Sequence, residues 1–447
     1  MTSRALFLAL VLSVVAITPF ALAFVPASNC CFVSKKNAAC GSCCLLTGSK
    51  SQLLHRRLDS QVRPMMPQLS AAADSSGGDE RSRRSVVIIG LNGALQRRLV
   101  FKPPKGLKVG SVNRAASVDA GIGGKGQNVC VALRLLAQAG GGGKRNGGDV
   151  DVTLAHFAGG KSGEAVCENL ERLGVKLVTS TTAAEMRLCT SLVDERFGET
   201  TELIEPWSAE ITEEEARDLV AKCKSTFEEL PKVYGVAVMG SMPAGVGQGI
   251  LVEIMDCLAE SSGFATEQPK VLVDSVPGFE ALIDSGRIGL LKVNAEEVVS
   301  LAELGREDGK AAADAVAVWM EDKLNFAAAE LFDRYGDKLP WIAVTNGGLP
   351  SYVFSGEKLK EDKKFSSFWR ISPAAVEVVN PIGAGDATAA ATLYEWTRGT
   401  PVPEAFRRGL SVGGASCTSR DPLCNSCFSI EEADSLFAEM KLEEITP

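Results

Sequence analysis

Short apolar runs recur along the chain from residue 85 to about residue 345. The first, at 86–89, consists of four β-branched residues and ends at Gly90, which is typical of a buried strand in a parallel sheet. Positions 129, 133 and 136 are then apolar at helical spacing. Similar runs lie at 152–155, 235–239, 271–273 and 342–344. This alternation of strands and helices predicts an α/β fold whose parallel sheet is covered on both faces.

Two segments depart from this rhythm and alternate apolar with polar residues instead. They span residues 97–118 and 188–204, and turn-forming residues interrupt each of them. Such alternation is typical of strands at a solvent-exposed edge. The sequence leaves two interpretations open, which are a small second sheet covering a ligand and a pair of independent surface hairpins.

The first 84 residues have the composition of a targeting sequence. Arg4 precedes an apolar run that is too short to cross a bilayer, and Ala21-Leu22-Ala23 is a small-residue cleavage pattern, so residues 1–23 are predicted to be a signal peptide. Residues 24–84 are predicted to be a disordered, transit-like segment. Phe24 directly after the cleavage pattern resembles the bipartite plastid-targeting junction of algae with secondary plastids. The expected location is therefore a plastid reached by the secretory route, with secretion as the alternative.

The composition and net charge of the protein exclude some classes of binding partner. The 447-residue chain has 45% hydrophobic and 23% charged residues, which indicates a folded protein with a sizeable core. Seven of its 47 basic residues but only one of its 55 acidic residues lie in the first 73 positions, so residues 74–447 carry a net charge of −14. An acidic body argues against binding to nucleic acid or to an anionic membrane. With only two histidines, a three-histidine zinc site is excluded and carboxylate chemistry is favoured.

Cysteine spacing indicates a mostly reduced body. Five of the 13 cysteines lie in the first 73 residues, and the other eight lack the paired spacing of a disulfide framework. Cys424 and Cys427 form a single C-x-x-C sequence near the C-terminus. This sequence is compatible with a redox-active pair and with two ordinary buried thiols.

A glycine-containing turn at 383–386 is the first candidate for chemistry. Gly383, Ala384 and Gly385 stand where the helical stretch 387–396 begins, and the free backbone amides at a helix N-terminus bind phosphate. Asp386, at the end of that turn, would lie close to the bound phosphoryl group and could accept a proton from an attacking hydroxyl. On this segment alone, an ordinary helix start with a capping Asp is the alternative.

A second glycine-dense turn, at 121–128, also leads into a helix. Glycine allows a ligand to approach the backbone closely. Lys125 adds a cation and Asn128 an amide, which together suit a polar or phosphorylated small molecule.

Together the two turns resemble the signatures of the PfkB carbohydrate kinases, within the ribokinase-like family. The resemblance extends from about residue 85 to about residue 440, which predicts one kinase domain over 85–447. The Asn-Pro start of the second signature, together with Arg187 and the Glu205-Pro206 pair, looks most like the phosphosugar branch that contains tagatose-6-phosphate kinase and 1-phosphofructokinase. The matching segments are 91–95, 111–115, 123–128, 240–245, 292–297 and 379–386.

The resemblance implies a three-layer α/β/α fold with a parallel-rich sheet and a small β-sheet lid, formed by 97–118 and 188–204 and able to make a homodimer. It also implies an ATP-dependent kinase acting on a sugar phosphate, with Asp386 as catalytic base and the amides of Gly383, Ala384 and Gly385 as the anion hole. Mg²⁺ would be held through water by Asn294 and Glu297. The implied ATP contacts are Lys292, Thr345, Gly347, Gly383 and Gly385, and the implied sugar-phosphate contacts are Gln96, Gly124, Lys125, Asn128 and Arg187.

One departure from the family pattern affects substrate choice. Where the family usually has an Asp that binds sugar hydroxyls, this chain has Gln96, which forms hydrogen bonds but carries no charge. Two alternatives to the phosphosugar kinase therefore stay open, namely a kinase of an unphosphorylated sugar and a catalytically weak plastid scaffold protein. A dinucleotide-dependent oxidoreductase is disfavoured, because no G-x-G-x-x-G follows the first strand.

Overall fold

The computed structural model of the protein describes residues 84–140, 150–261, 269–303, 321–421 and 424–447. The strands in these ranges are β1 (Arg84–Ile89), β2 (Ala94–Phe101), β3 (Ser117–Gly123), β4 (Val150–Gly159), β5 (Lys176–Thr182), β6 (Leu188–Asp194), β7 (Glu199–Ile204), β8 (Val233–Met239), β9 (Lys270–Asp274), β10 (Leu290–Asn294), β11 (Trp341–Thr345), β12 (Ser351–Ser355), β13 (Phe368–Ser372) and β14 (Lys441–Ile445). The helices are α1 (Lys125–Gly140), α2 (Gly160–Arg172), α3 (Glu213–Glu228), α4 (Gly249–Glu260), α5 (Val276–Leu282), α6 (Ala295–Glu303), α7 (Glu321–Tyr335), α8 (Ala384–Thr397), α9 (Val402–Thr418) and α10 (Ile430–Glu439).

Ten of these strands form one sheet, in the order β14-β13-β12-β11-β10-β9-β8-β1-β4-β5. The seven strands from β11 to β5 pair in parallel, as the apolar runs predict. The central strands β1, β8 and β9 are buried over nearly their whole length, because helices cover both faces of the sheet. The predicted α/β fold with a parallel-rich sheet is therefore confirmed.

Helix α8 lies in the interior of this arrangement and begins with the glycine turn of the second signature. Eleven of its 14 residues are buried, and four of these are alanines, whose small side chains let neighbouring helices approach closely. Its fixed position places the turn at 383–386 against the main sheet. Helix α1, which follows the other glycine turn, buries Val129, Leu133 and Leu136 at the predicted helical spacing.

The remaining three strands of the main sheet were not predicted from the sequence. Strands β12, β13 and β14 extend the sheet in antiparallel fashion beyond β11. Aromatic side chains pack this end of the sheet, with Phe354 and Phe368 5.6 Å apart between ring centroids. These strands are short and irregularly spaced, so the alternation of strand and helix gave no signal for them.

A separate four-stranded sheet has the order β3-β2-β6-β7 and is called the small sheet below. Strands β2 and β6 pair in parallel from Leu95 opposite Leu188 to Phe101 opposite Asp194. This pairing joins the two alternating segments, so the small sheet is confirmed and independent hairpins are excluded. The boundaries differ from the predicted 97–118, because β2 begins at Ala94 and β3 ends at Gly123, while residues 102–116 connect the two strands.

The predicted signal peptide at 1–23 and nearly all of the predicted transit segment at 24–84 lie outside the described residues. Among the described residues, no helix has both the length and the apolar character needed to span a membrane.

Candidate functional site

A cavity of about 620 Å³ lies where the two sheets meet. One wall comes from the small sheet and includes Gln96, Arg187 and Glu202. The opposite wall comes from the carboxyl ends of main-sheet strands, where β9, β10 and β11 end, and from the turn before α8. Ligands of open α/β sheets bind in this kind of crevice. The predicted site residues that line it are Gln96, Gly124, Lys125, Asn128, Arg187, Lys292, Asn294, Glu297, Thr345, Gly383, Gly385 and Asp386.

The turn at 383–385 presents the N-terminus of α8 to this cavity. Gly383 has φ +81°, a left-handed conformation that favours glycine, and a Cβ atom there would lie 2.7 Å from Asn425. No side chain caps the helix start, and the N–H of Ala384 donates to the carbonyl oxygen of Pro381 at 3.3 Å. The alternative interpretation of Asp386 as a simple cap is therefore wrong, since the residue lies within the first turn and makes no capping bond.

Asp386 is buried beside this turn, with 6% of its surface exposed. Its Oδ2 accepts a hydrogen bond of 2.8 Å from Nδ2 of Asn128 in α1. Burial raises the pKa of Asp386 from the ordinary 3.8 to about 6, although the charge of Lys125 opposes the shift. A carboxyl group with this pKa is ionised at neutral pH and is still basic enough to take up a proton.

Two lysines share one buried carboxylate next to Asp386. Lys125 Nζ lies 2.8 Å from Oδ1 of Asp274, and Lys292 Nζ lies 2.5 Å from its Oδ2. Burial acts to raise the pKa of Asp274, but the two lysines outweigh it and hold that pKa below its usual value. The charge of Asp274 in turn raises the pKa of Lys125. Asp274 therefore holds the two ammonium groups next to each other at this end of the cavity.

Lys292 also reaches the glycine turn. Its Nζ would lie 3.2 Å from a Cβ atom at Gly385, so its ammonium group is close to the start of α8. Backbone amides and an ammonium group therefore face the same end of the cavity. This arrangement can hold a multiply charged phosphate group.

Asn294 and Glu297 form the N-terminal cap of α6. The side chain of Asn294 accepts a bond from the backbone N–H of Glu297, and Oε2 of Glu297 accepts one from the N–H of Asn294, each at 2.8 Å. The other carboxylate oxygen of Glu297 lies 3.9 Å from Nζ of Lys125. Both residues line the cavity, but within the described ranges no group of three His, Cys, Asp or Glu residues could hold a metal ion. Asn294 and Glu297 would supply few oxygen ligands, so an ion bound there would have to keep most of its own waters, as Mg²⁺ does.

The opposite end of the cavity is formed by the small sheet and the end of β1. Arg187 donates from Nε to the carbonyl oxygen of Gly93 at 3.3 Å and from Nη2 to that of Asn92 at 3.2 Å. These contacts use only part of its five donors, so its guanidinium group is held in place and can still bind an anion. Asn92 is itself fixed by Trp207 and Ser241.

A chain of hydrogen bonds crosses this end of the site. Gln96 donates from Nε2 to Oγ of Ser191 at 2.7 Å, and that hydroxyl donates to Oε1 of Glu202 at 3.1 Å. Gln96 is buried, whereas Glu202 lies on the exposed strand β7. These hydrogen bonds therefore connect Gln96, the residue that departs from the family pattern, to the carboxylate of Glu202, which lines the cavity.

The cavity lining does not include every residue predicted for the site. Ala384 and Gly347 are not among the described residues that line the cavity, although Ala384 begins α8 and Gly347 lies just beyond β11. The glycine-dense segment at 121–128 is only partly a turn. Gly121 and Gly123 belong to β3, and Gly124 alone, with φ +96°, connects β3 to α1.

Twelve residues of the cavity wall were not among the predicted site residues, and four of them enter the arguments below. Asp274 ends the apolar run V-L-V-D, and a carboxylate at the end of a buried strand was a signal that could have identified it. The other three are Asn92, Glu202 and Asn425, which line the cavity without ending a strand-like apolar run. Asn92 lies three residues beyond β1, Glu202 lies on the exposed strand β7, and Asn425 lies in the loop before α10.

Comparison with known proteins agrees with this geometry. The sequence matches the pfkB family of carbohydrate kinases over residues 86–425. Phosphofructokinase-2 from Escherichia coli, in its tetrameric inhibited form, is 21% identical, with a TM-score of 0.60, over 80% of this chain and 99% of that one. A "possible 1-phosphofructokinase" from Thermotoga maritima is 19% identical, with a TM-score of 0.60, over 81% and 100% of the two chains.

A ribokinase from Thermotoga maritima is also similar, at 16% identity and a TM-score of 0.54 over 80% of this chain and 99% of that one. At these identities the structural likenesses establish the fold alone. They confirm the predicted ribokinase-like architecture of a large, mostly parallel sheet with a small separate sheet. Because the family match covers well over half of the sequence, the chain belongs to the pfkB family of carbohydrate kinases, phosphotransferases that use an alcohol group as acceptor.

Proposed function

We propose that the protein uses ATP to phosphorylate a phosphorylated ketohexose, of the fructose 1-phosphate or tagatose 6-phosphate type, to a sugar bisphosphate. The observation that carries this proposal is the division of one cavity between two anion-binding ends. One end has the amides of α8 and the lysine pair, and the other end has Arg187. A substrate with its own phosphate can use both ends at once.

In the proposed mechanism, Asp386 is the base. It lies beside the turn at 383–385, so a hydroxyl placed between them would face both the carboxylate and the transferable phosphoryl group. Asp386 then accepts the hydroxyl proton as the oxygen attacks. The hydrogen bond from Asn128 to Oδ2 fixes the carboxylate, and Oδ1 would accept the proton.

The amides of Gly383, Ala384 and Gly385 would stabilise the charge that develops on the phosphoryl oxygens. Lys292 supports the same role because its ammonium group lies beside Gly385. Thr345 lines the cavity and Gly347 follows it in the turn after β11, which suits contacts with the nucleotide. Mg²⁺, held through water by Asn294 and Glu297, would neutralise charge on the phosphate groups.

On the sugar side, Arg187 would bind the phosphate already present on the substrate, and Gly124 would allow close approach to the backbone. Arg187 suits this role because a guanidinium group offers paired donors to phosphate oxygens. Lys125, which the resemblance assigns to the sugar phosphate, pairs with Asp274 and so belongs to the end formed by α8 and the lysine pair. Gln96 would bind sugar hydroxyls through its amide.

One observation favours a second candidate, a kinase of an unphosphorylated sugar. The chain from Gln96 through Ser191 to Glu202 brings a carboxylate to the sugar side, and carboxylates commonly accept bonds from sugar hydroxyls. A negative charge there also disfavours an anionic substrate. Arg187 thus favours a phosphorylated substrate, whereas Glu202 favours an unphosphorylated one. Their relative contributions to substrate binding decide between the two candidates.

The test is an ATP-consumption screen of the full chain against fructose 1-phosphate, fructose 6-phosphate, tagatose 6-phosphate, fructose and ribose, with Asp386→Asn as the blank. We expect turnover with a ketohexose phosphate. Turnover with fructose or ribose alone would establish the second candidate. Nucleotide binding without turnover on any sugar would support the scaffold alternative.

We also propose a homodimer formed through the small sheet. Its outer strands β3 and β7 carry the large apolar side chains of Val118 and Leu203, which are half-exposed or more, whereas Ile204, also exposed, lines the cavity. Sedimentation at several protein concentrations tests this, and a monomer at all concentrations would contradict it.

For location, we propose import into a plastid through the secretory route, on the composition of residues 1–84. A fluorescent reporter fused behind residues 1–73 should enter the plastid of an alga with a secondary plastid, and Phe24→Ala should divert it. Secretion of the unaltered fusion would refute this location.

A further inference from the structure

A pair of cysteines lies directly behind the glycine turn of the active site. The Sγ atoms of Cys424 and Cys427 are 3.3 Å apart, and both residues are buried, with 4% of their surface exposed. The backbone N–H of Ser426, between them, donates to Sγ of Cys424 at 3.2 Å. The two thiols are therefore already adjacent and oriented toward each other within one short loop, 424–427.

The two residues between the cysteines contact the turn that begins α8. Ser426 donates from its hydroxyl to the carbonyl oxygen of Gly383 at 2.9 Å. Asn425 lines the cavity and packs so closely on Gly383 that a Cβ atom would lie 2.7 Å away. Its side chain also accepts a bond of 3.2 Å from Asn380, just before the turn. Any change in the loop is thus transmitted to the proposed anion hole.

The same loop touches the small sheet. Cys424 forms a parallel β-bridge with Ile122 in β3, two residues before Gly124 of the sugar side. The loop at 424–427 therefore contacts both walls of the cavity. The proposed kinase reaction makes no use of its two thiols.

We propose that Cys424 and Cys427 are a reversible dithiol–disulfide site whose oxidation lowers kinase activity by pulling Asn425 and Ser426 away from Gly383. This inference rests on the proposed function. The sulfurs must approach each other by about 1.3 Å to reach the usual bond length of a disulfide. Because protein interiors are close-packed, the two residues between them cannot keep all of their contacts while the loop tightens.

The chemistry is thiol–disulfide exchange with an external disulfide, either a small molecule or a dithiol–disulfide oxidoreductase. The thiolate of one cysteine attacks a sulfur of the oxidant, which breaks the oxidant's disulfide and releases one thiol. The second cysteine then attacks the mixed disulfide and releases the other thiol. The two cysteines lose two electrons and two protons, and the oxidant gains these two electrons and two protons.

Burial of the cysteines controls the rate of this thiol–disulfide exchange. It raises the pKa of Cys424 well above the usual value, so few thiolates exist at neutral pH and the reaction should be slow in the closed loop. A nucleotide that orders the turn at 383–385 should slow it further. ATP binding and formation of the 424–427 disulfide are thermodynamically coupled. If oxidation weakens ATP affinity tenfold, ATP must in turn shift the midpoint potential of the cysteine pair by about 30 mV.

The experiment equilibrates the full chain with defined ratios of oxidised to reduced glutathione, with and without ATP. Thiol alkylation and peptide mass spectrometry identify the disulfide, and kcat and ATP affinity are measured on the same samples. We expect a 424–427 disulfide, a fall of about tenfold or more in kcat, and full recovery after reduction with dithiothreitol.

Cys424→Ser and Cys427→Ser should each keep the activity of the reduced protein and lose the response, with Cys427→Ala as a second choice if a serine variant misfolds. Cys257→Ser is the matched control, because that buried cysteine lies on α4, far along the chain from the loop, and should leave the response unchanged.

Absence of the 424–427 disulfide under oxidising conditions would overturn the inference. So would a disulfide that changes neither kcat nor ATP affinity. If no sugar phosphate is a substrate, the proposed function fails while disulfide mapping and ATP affinity still decide whether this site exists.

Discussion

The two ends of the cavity are built differently. At the main-sheet end, Asp386 and Asp274 are buried and each is held by a hydrogen bond or ion pair to another element. At the small-sheet end, strand β7 is exposed along nearly its whole length, and Glu202 reaches the cavity from it. The rigid end suits charge stabilisation that must be in place before reaction, whereas the exposed end suits recognition that differs between related enzymes.

The largest effect should come from the rigid end. Asp386→Asn removes the proposed base but keeps the shape of the side chain and its bond to Asn128. We expect kcat to fall by about 10²–10⁴-fold while ATP affinity stays nearly unchanged. Steady-state kinetics and a nucleotide-binding titration check this, and an unchanged kcat would remove Asp386 from the mechanism.

Arg187→Ala tests the small-sheet end of the cavity. The Michaelis constant for the sugar phosphate should rise by about 10–100-fold, which corresponds to losing a charged hydrogen bond, while that for ATP stays nearly constant. Arg196→Ala is the matched control, because Arg187 immediately precedes β6 whereas Arg196 lies beyond the other end of that strand and bonds to Leu107 and Asp194 instead of lining the cavity. Equal effects of the two substitutions would show that Arg187 acts only through structure.

Asp274→Asn tests how the lysine pair is held. The neutral amide cannot accept from both ammonium groups as the carboxylate does, so Lys125 and Lys292 should become mobile. We expect kcat to fall by about tenfold, together with a lower melting temperature. Normal kcat with only a lower melting temperature would limit Asp274 to a structural role.

Glu202→Gln should have the smallest kinetic effect, because its side chain lies on an exposed strand. Removing its negative charge should lower the Michaelis constant for a sugar phosphate by about twofold to fivefold, as expected for a partly screened charge. A higher constant for sugar phosphates would mean that Glu202 binds the sugar hydroxyls and that the second candidate function has gained support.

The raised pKa of Asp386 predicts that its ionised carboxylate lowers the free energy of unfolding by an amount that depends on pH. Its folded-state pKa of about 6 lies above the ordinary 3.8, so the ionised carboxylate destabilises the folded protein. This cost is complete above pH 6, shrinks as the pH falls through that value and vanishes below about 3.8. Asp386→Asn should therefore melt higher than the wild type at pH 8, by a few degrees, and the difference should narrow at pH 5. A constant difference across this range would contradict the assigned pKa.

The sequence predicted the rigid end better than the exposed one. Asp386, Lys292 and the turn at 383–385 lie next to buried apolar runs or helix starts, and local physics determines such positions. The parallel part of the main sheet followed from the same runs. Asp274 was missed even though it ends such a run, because its importance depends on two lysines that are distant in sequence.

The exposed end could not be predicted in the same way. The alternating pattern indicated edge strands, but only the parallel pairing of β2 with β6 decides between one sheet and two hairpins. The contact of Gln96 with Glu202 through Ser191 likewise depends on which strands are neighbours. Strand register over about 95 residues of sequence separation leaves no local signal.

The most direct test of this account is the ratio of kcat/KM for fructose 1-phosphate to kcat/KM for fructose, measured in the wild type and in Arg187→Ala. If the exposed end selects a phosphate and the rigid end performs the chemistry, the ratio should be about 100 or more in the wild type and should fall by at least tenfold in the variant, with little change in the activity on fructose. A wild-type ratio of one or less, or equal losses for the two sugars in Arg187→Ala, would contradict the account.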